Sequence, residues 1–244
     1  MGSLYLYAIV DRTDQGLPQL TGIGDAPLLG FPTGALLAVV SLVDAEKVPL
    51  TQANLLRHEA VIEALMVGRG VLPARFGTTG SEQALTEALA RHEASFLRSL
   101  ARVRGRVELA LRVLDTAPVE APPARPRAAD FTNGRGYMQA LLAVEQHESR
   151  RRAAAEALAE QITAELTPLA EAVVQDRSTR PKQLLKVAYL LLPEQVAAMR
   201  ERIAALQAAH PTLAFVATGP WPAYSFIETE QGPSLFERTA EGLR

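Results

Sequence analysis

The chain has 244 residues, with 25 basic and 27 acidic side chains, a formal charge of −2 and a pI near 6.1, so nothing in its overall balance draws it to nucleic acid or to an anionic lipid surface. Apolar residues at 48% and charged residues at 21% are the proportions of a folded globular protein, and the length predicts two domains. The absence of cysteine excludes disulfides, thiolate catalysis and cysteine-based zinc sites, no apolar run approaches the ~18 residues of a membrane span, and with no secretory leader at its start the chain is expected in the cytoplasm.

Leu4 to Val10 alternates and is rich in aromatic and β-branched residues, which predicts a strand. A loop punctuated by Gly16, Pro18, Gly22, Gly24 and Pro27 follows, and the near-continuous apolar run from Gly34 to Val43 suits a central strand. From Thr51, a plausible N-cap, the spacing becomes helical, with Leu55, Ile62, Leu65 and Met66 on one stripe. Val71 to Phe76 reads as the next strand. Ser81 opens a second helix with Leu85, Leu89, Phe96 and Leu100 along one face, and Val107 to Leu114 alternates again. The order β, β, α, β, α, β predicts a first α+β domain over 1–115, with helices on one face of a small, mostly antiparallel sheet related to a ferredoxin-like layer.

Residues 116–133 are rich in Pro, Ala and Arg, with Pro118, Pro122, Pro123 and Pro126, and read as an extended linker. A long helix is predicted from Gly134 to Thr167, carrying Tyr137, Leu141, Val144, Ala155, Leu158 and Ile162 at three- and four-residue spacing. At 1.5 Å per residue it spans about 50 Å. Its middle, Glu145 to Arg152, is almost wholly polar, so both ends are expected to pack while the middle projects into solvent. Strands over Glu171–Gln175 and Gln183–Leu192, a helix through Val196, Met199, Ile203 and Leu206, and a last strand over Leu213–Ala217 complete a second α+β domain over 134–230. Residues 231–244, with Gly232 and Pro233, read as a tail.

Histidine precedes glutamate at His58, His92 and His147, but the positions four residues on are Ile62, Phe96 and Arg151, so no helical zinc pair exists. The pairs fit capping, ion pairing or core roles; the competing reading is a small-molecule α+β enzyme with His58 or His92 as general base. Arg98, Arg102, Arg104 and Arg106, and again Arg150, Arg151 and Arg152, have glutamates nearby and no interleaved aromatics for base stacking, which marks solvated faces. The paired glycines at 68/70 and 77/80 lack a phosphate-loop context, and no nucleophile elbow is present. No catalytic, cofactor-binding or metal residues are assigned.

Two segments stand apart. In Leu72-Pro73-Ala74-Arg75-Phe76-Gly77-Thr78 a cation sits inside an apolar strand, where a buried guanidinium needs carboxylate or carbonyl partners; it either locks the domain or grips a partner chain. In Val216 to Phe226 the only tryptophan lies between two prolines after Gly219, an arrangement for shape rather than chemistry. Trp221 is expected to pack against a domain face, and its truncation to leave a cavity worth about 3–5 kcal/mol.

With Tyr5-Leu6-Tyr7-Ala8-Ile9-Val10, His58, Arg106 to Val113 and Gly134-Arg135-Gly136-Tyr137, these two segments resemble, in order and across nearly the whole chain, the gas vesicle protein F/L family. The resemblance implies two α+β domains, no enzymatic activity, residence on or in the gas vesicle, and contact with the small hydrophobic shell protein and with other accessory proteins during assembly. An accessory protein that covers apolar shell surface before polymerisation prevents premature aggregation. The residues expected to bind the partner or lock the domain are Leu72, Pro73, Arg75, Phe76, Gly219, Pro220, Trp221, Pro222 and Tyr224.

Overall fold

A computed structural model describes residues 3–44, 47–117, 126–127, 130–176 and 182–227. The chain divides into two compact units. The first takes residues up to Glu108, Leu190–Pro193 and the segment from Gly219 onward; the second takes Leu109–Tyr189 and Glu194–Thr218.

In the first unit the sheet order is β2-β3-β1-β4, with β5 also pairing β1: β1 is Ser3–Asp11, β2 Leu29–Thr33, β3 Leu36–Val43, β4 Val71–Pro73 and β5 Thr79–Gly80. Strand β1 pairs antiparallel with β3, β4 and β5, and β2 pairs antiparallel with β3. Every residue of β1 from Leu4 to Val10 is buried, so both faces of this central strand are covered and the alternation read from the sequence does not mark a solvent face. The pairing of β1 with β3 slips between Leu6 and Ala8, leaving Tyr7 at an irregularity in the ladder. Helix α1 (Gln52–Leu65) starts at Thr51, whose side chain accepts from the Asn54 amide, and α2 (Glu82–Val103) starts at Ser81, which accepts from Ala84. Tyr5, Tyr7, Val39, Val61, Ile62, Leu65 and Val71 share one core cluster.

The second unit takes α3 (Gly134–Leu166), β7 (Ala172–Gln175), α4 (Val196–Ala209) and most of β6 (Val107–Asp115), β8 (Gln183–Leu191) and β9 (Leu213–Trp221), and the sheet order is β7-β8-β6-β9. A βαββαβ chain in that order is the ferredoxin-like arrangement. The strand after Arg106 therefore opens the second sheet, although the sequence reading placed it at the end of a first domain over 1–115. The proline-rich run joins β6 to α3 instead of linking two domains; its residues 118–125 and 128–129 lie outside the described residues, as does the tail over 231–244.

Four elements differ from expectation for local reasons. Strand β2 lies in the stretch expected to be loop; it contains Gly30 and Pro32 and sits at the sheet edge, where a missing amide donor is tolerated. Strand β4 stops at Pro73, short of Phe76, because the chain then turns through Gly77, whose φ is 83°. Strand β9 runs past Ala217 to Trp221, through a cis Gly219–Pro220 peptide. Along α3 only Ala159, Ile162 and Leu166 are buried, so its C-terminal end alone packs closely, and Met138 and Leu142 near its start are exposed.

Candidate functional site

The segment 72–78 is held to the first unit from inside. His58, on the inner stripe of α1 and 1% exposed, places Nε2 3.1 Å from the Ala74 carbonyl and Nδ1 3.0 Å from the Tyr5 hydroxyl. A carbonyl only accepts, so Nε2 carries the proton and donates to it, while Nδ1 accepts from Tyr5. The Tyr5 oxygen in turn accepts from the Gly77 amide at 3.2 Å, and the Ala74 amide donates to the Tyr7 carbonyl at 2.8 Å. Phe76 meets Tyr5 and His58 edge-on, with ring centroids 6.1 and 5.7 Å apart, and Tyr7 stacks on His58 at 5.8 Å. Burial favours the uncharged forms throughout: it pulls His58 down to about 4, despite the Ala74 carbonyl acting the other way, and pushes the Tyr5 and Tyr7 hydroxyls up.

This geometry corrects the reading of Arg75. Leu72 and Pro73 are buried in β4, but Arg75 lies beyond the strand with its side chain exposed, and its carbonyl closes a turn by accepting from the Thr78 amide at 3.2 Å and the Thr78 hydroxyl at 2.6 Å. Among the described residues its guanidinium has no hydrogen-bond or ion-pair partner. The arginine that is buried is Arg69, 4% exposed, whose Nη2 donates to the carbonyls of Gln15 and Gly16 at 3.0 and 2.9 Å.

The second motif is anchored by residues next to those predicted. Gly219 has φ 115°, and a Cβ there would stand 2.7 Å from the Glu108 carbonyl, so only glycine fits. Beyond it Pro222, Ala223 and Phe226 are buried, and the Arg102 guanidinium lies 5.7 Å from the centre of the Phe226 ring. Glu108, 6% exposed, accepts from the Ser225 amide and the Ser225 hydroxyl, both at 2.8 Å; burial raises its carboxyl above the usual range against the lowering effect of those two donors. Pro220 is exposed, Trp221 is 39% exposed and Tyr224 38% exposed. Trp221 thus does not fill a buried slot; Phe226 does. The Tyr224 hydroxyl is pushed up to about 12, chiefly by burial and further by the nearby carboxylates of Glu59 and Glu108.

The first motif is thus held by Tyr5 and His58 and the second by Glu108, while Arg75 on the one and Tyr224 on the other are exposed. Leu55, read as part of the inner stripe of α1, is 37% exposed because His58 takes the inward place; it lies one turn before Glu59 on the same side of the helix. Sequence reasoning missed Tyr5, Glu108, Ser225 and Phe226 as anchors. A lone glutamate inside the alternating strand Val107 to Leu114 was the available signal, since a buried carboxylate requires donors.

The competing enzyme reading assigns a general base to His58 or His92. Both His58 ring nitrogens are committed inside the core, and His92 lies on α2 with its ring 6.0 Å from that of Phe96. An open groove of about 400 Å³ in the second unit is lined by Glu160, Thr163, Ala164, Thr167, Pro168 and Gln175, without a histidine. Among the described residues no group of three or more histidines and carboxylates could hold a metal ion, and no helix is long and apolar enough to cross a membrane.

The chain is similar to gas vesicle protein F2 of Halobacterium salinarum, at 24% identity with 94% of each chain covered, and to gas vesicle protein F of a Streptomyces species, at 27% identity with 93% of this chain and all of the other covered. Gas vesicle protein L2 of H. salinarum is 27% identical, covering 91% of this chain and 90% of its own. The fold is shared with the crystal structure of the gas vesicle protein GvpF from Anabaena sp. PCC7120, with a TM-score of 0.74 and 20% identity over 95% of this chain and 98% of that one. The profile of the family described as Gas vesicle synthesis protein GvpL/GvpF matches residues 3–228, nearly the whole chain, and the protein belongs to that family.

Proposed function

We propose that this gas vesicle protein is an accessory and minor structural component without catalytic activity, which binds the hydrophobic shell protein and assists vesicle assembly. The observation that carries the reading is the outward face of the two anchored motifs. Arg75, Tyr224 and Trp221 are exposed on segments whose neighbouring residues are buried and hydrogen-bonded, so the first unit spends its polar network on holding a surface in place. A shell subunit exposes apolar area until it polymerises, and a folded protein with such a face occupies that area and keeps it from aggregating. The exposed Met138 and Leu142 on the free half of α3 offer a second contact element. Other accessory proteins of the vesicle are further partners in this reading.

Co-expression with the shell protein, followed by affinity capture and cross-link mapping, tests it. Cross-links should concentrate at 72–78 and 219–226 and, more weakly, at 134–145. Vesicles that form normally in cells lacking this chain and its close relatives, or turnover of a metabolite by the purified protein, would refute it.

A further inference from the structure

We infer that two copies of this chain pair through the start of α3, the helices running antiparallel about a two-fold axis beside Ala140, so that Met138 and Leu142 of each copy cover Leu142 and Met138 of the other and Arg135 of each meets Glu145 of the other. The inference goes beyond the proposed shell-protein contact and does not depend on it.

Before Ala159 no residue of α3 is buried, and Tyr137, Leu141 and Val144 are half-buried on the side that Ala159 and Ile162 take at the packed end. Beside that stripe a second one runs through Arg135, Met138, Leu142 and Glu145, at spacings of three, four and three residues, which keep to one side of a helix. All four are exposed, the two apolar side chains at 62% and 57%. Arg135 and Glu145 have no hydrogen-bond or ion-pair partner among the described residues. The cation is also misplaced for the helix that carries it. It stands in the first turn, where the free N–H groups disfavour positive charge, and no acidic residue in that turn offsets it. A carboxylate from another chain would.

The order of the stripe, cation, apolar, apolar, anion, names the occupant. Arg135 and Glu145 lie five residues to either side of Ala140, and Met138 and Leu142 two. A second copy turned end for end about Ala140 therefore sets each cation on an anion, about 7.5 Å along the helix from the axis, and each apolar side chain on another. In the same register the next carboxylate, Glu148, falls opposite Thr132, ahead of the helix, so no like charges meet. Parallel pairing would instead oppose Arg135 to Arg135 and Glu145 to Glu145, which is repulsive. The contact is small beside the roughly 800 Å² per partner of a stable dimer, and its ion pairs are exposed, so a Kd on the order of 100 µM, weakened by salt, is expected. The pair uses the same Met138 and Leu142 that the proposed function offers to the shell protein as a second contact, and the two uses exclude one another; the segments 72–78 and 219–226 take no part in it.

Charge exchange within the purified full chain, read by sedimentation equilibrium at low salt over about 10 to 500 µM, tests the pairing without the shell protein. The unsubstituted chain should dimerise, and Arg135→Glu or Glu145→Arg alone should weaken dimerisation at least about tenfold, because each opposes like charges at both ends of the contact. An equimolar mixture of the two variants should associate about as well as the unsubstituted chain, since every carboxylate then faces a guanidinium, and so should the chain carrying both exchanges. Both side chains are exposed, so far-UV circular dichroism and melting midpoints should stay unchanged. A chain that remains monomeric at the highest concentration, single exchanges that leave the dimer as strong, or a mixture that associates no better than its components overturns the inference. None of these outcomes bears on capture of the shell protein at 72–78 and 219–226, which stands or falls by its own cross-links.

Discussion

The buried histidine gives the first unit a pH dependence with a definite sign. An ordinary histidine titrates near 6.5, and burial with both ring nitrogens committed pulls His58 down to about 4. Between those values the unfolded chain binds a proton that the folded chain refuses, so stability is fully present above about pH 6.5 and is lost as the pH falls toward 4. At roughly 1.4 kcal/mol per pH unit, lowering the pH from 7.5 to 5 removes about 2 kcal/mol through this one residue. Urea melts of the native chain and of His58→Gln at those two pH values isolate it. Glutamine does not titrate, and the other groups are common to both chains. The buried Glu108 carboxyl, raised above its usual range, acts in the opposite direction, favouring the fold as the pH falls, and it too cancels in the comparison. The native chain should lose about 2 kcal/mol more than the variant between pH 7.5 and 5. Equal losses would mean that His58 is not held neutral in the folded chain, and the relay through Tyr5 and Ala74 would then be misassigned.

Four further substitutions separate anchors from surface. Gly219→Ala places a methyl group 2.7 Å from the Glu108 carbonyl at a φ of 115°, and should cost at least about 2 kcal/mol in a denaturant melt; an unchanged midpoint would contradict the close approach. Phe226→Ala should cost about 3–5 kcal/mol against about 1–2 kcal/mol for Trp221→Ala, because the first ring is 2% exposed and the second 39%, and the reverse ranking would refute the assignment of Phe226 as the anchor. Asn133→Ala removes the side chain that accepts from the Gly136 amide at 2.8 Å and should cost the start of α3 about 1 kcal/mol. Since the first half of that helix buries no residue, the loss should appear as faster amide exchange over 136–142 with the global midpoint unchanged.

The sequence disclosed most where one periodicity ran without interruption. On α2 the stripe Leu85, Leu89, Phe96 and Leu100 is buried as its spacing requires, and the aromatic and β-branched run Leu4 to Val10 is the strand its composition predicts. It disclosed least where tertiary context reverses a local preference. Pro32 argues against a strand until β2 is known to be an edge, and the alternation from Val107 to Leu114 marks a strand without saying which sheet receives it. That second ambiguity decided the domain boundary, because β6 completes a βαββαβ unit only once β7, β8 and β9 are in place. At the site, the tryptophan and arginine stood out as rare residues in unusual surroundings, yet rarity does not distinguish an inward anchor from an outward contact. The inward role fell to His58, Glu108 and Phe226; of these only the lone glutamate in an alternating strand and the histidine on a helical stripe carried any local signal.

The same network bears on catalysis and on binding, with opposite results. A general base needs a ring nitrogen that is free to take a proton near neutral pH; His58 has one nitrogen donating to a carbonyl, the other accepting from a buried hydroxyl, and a pKa far below the working range. Those commitments turn the histidine into a clamp joining α1, β1 and the turn after β4. A clamped turn holds the Arg75 backbone in one place before any partner arrives, and the ordering entropy that a loose loop would lose on binding is then lost during folding instead. The argument predicts that Tyr5→Phe, which removes an acceptor from Gly77 and a donor from His58 without touching the surface, weakens capture of the shell protein even at temperatures where the fold is intact. If capture by Tyr5→Phe equals that of the native chain under conditions where amide exchange at Gly77 and Thr78 has quickened, rigidity of the turn contributes nothing to recognition, and the face would act through its exposed side chains alone.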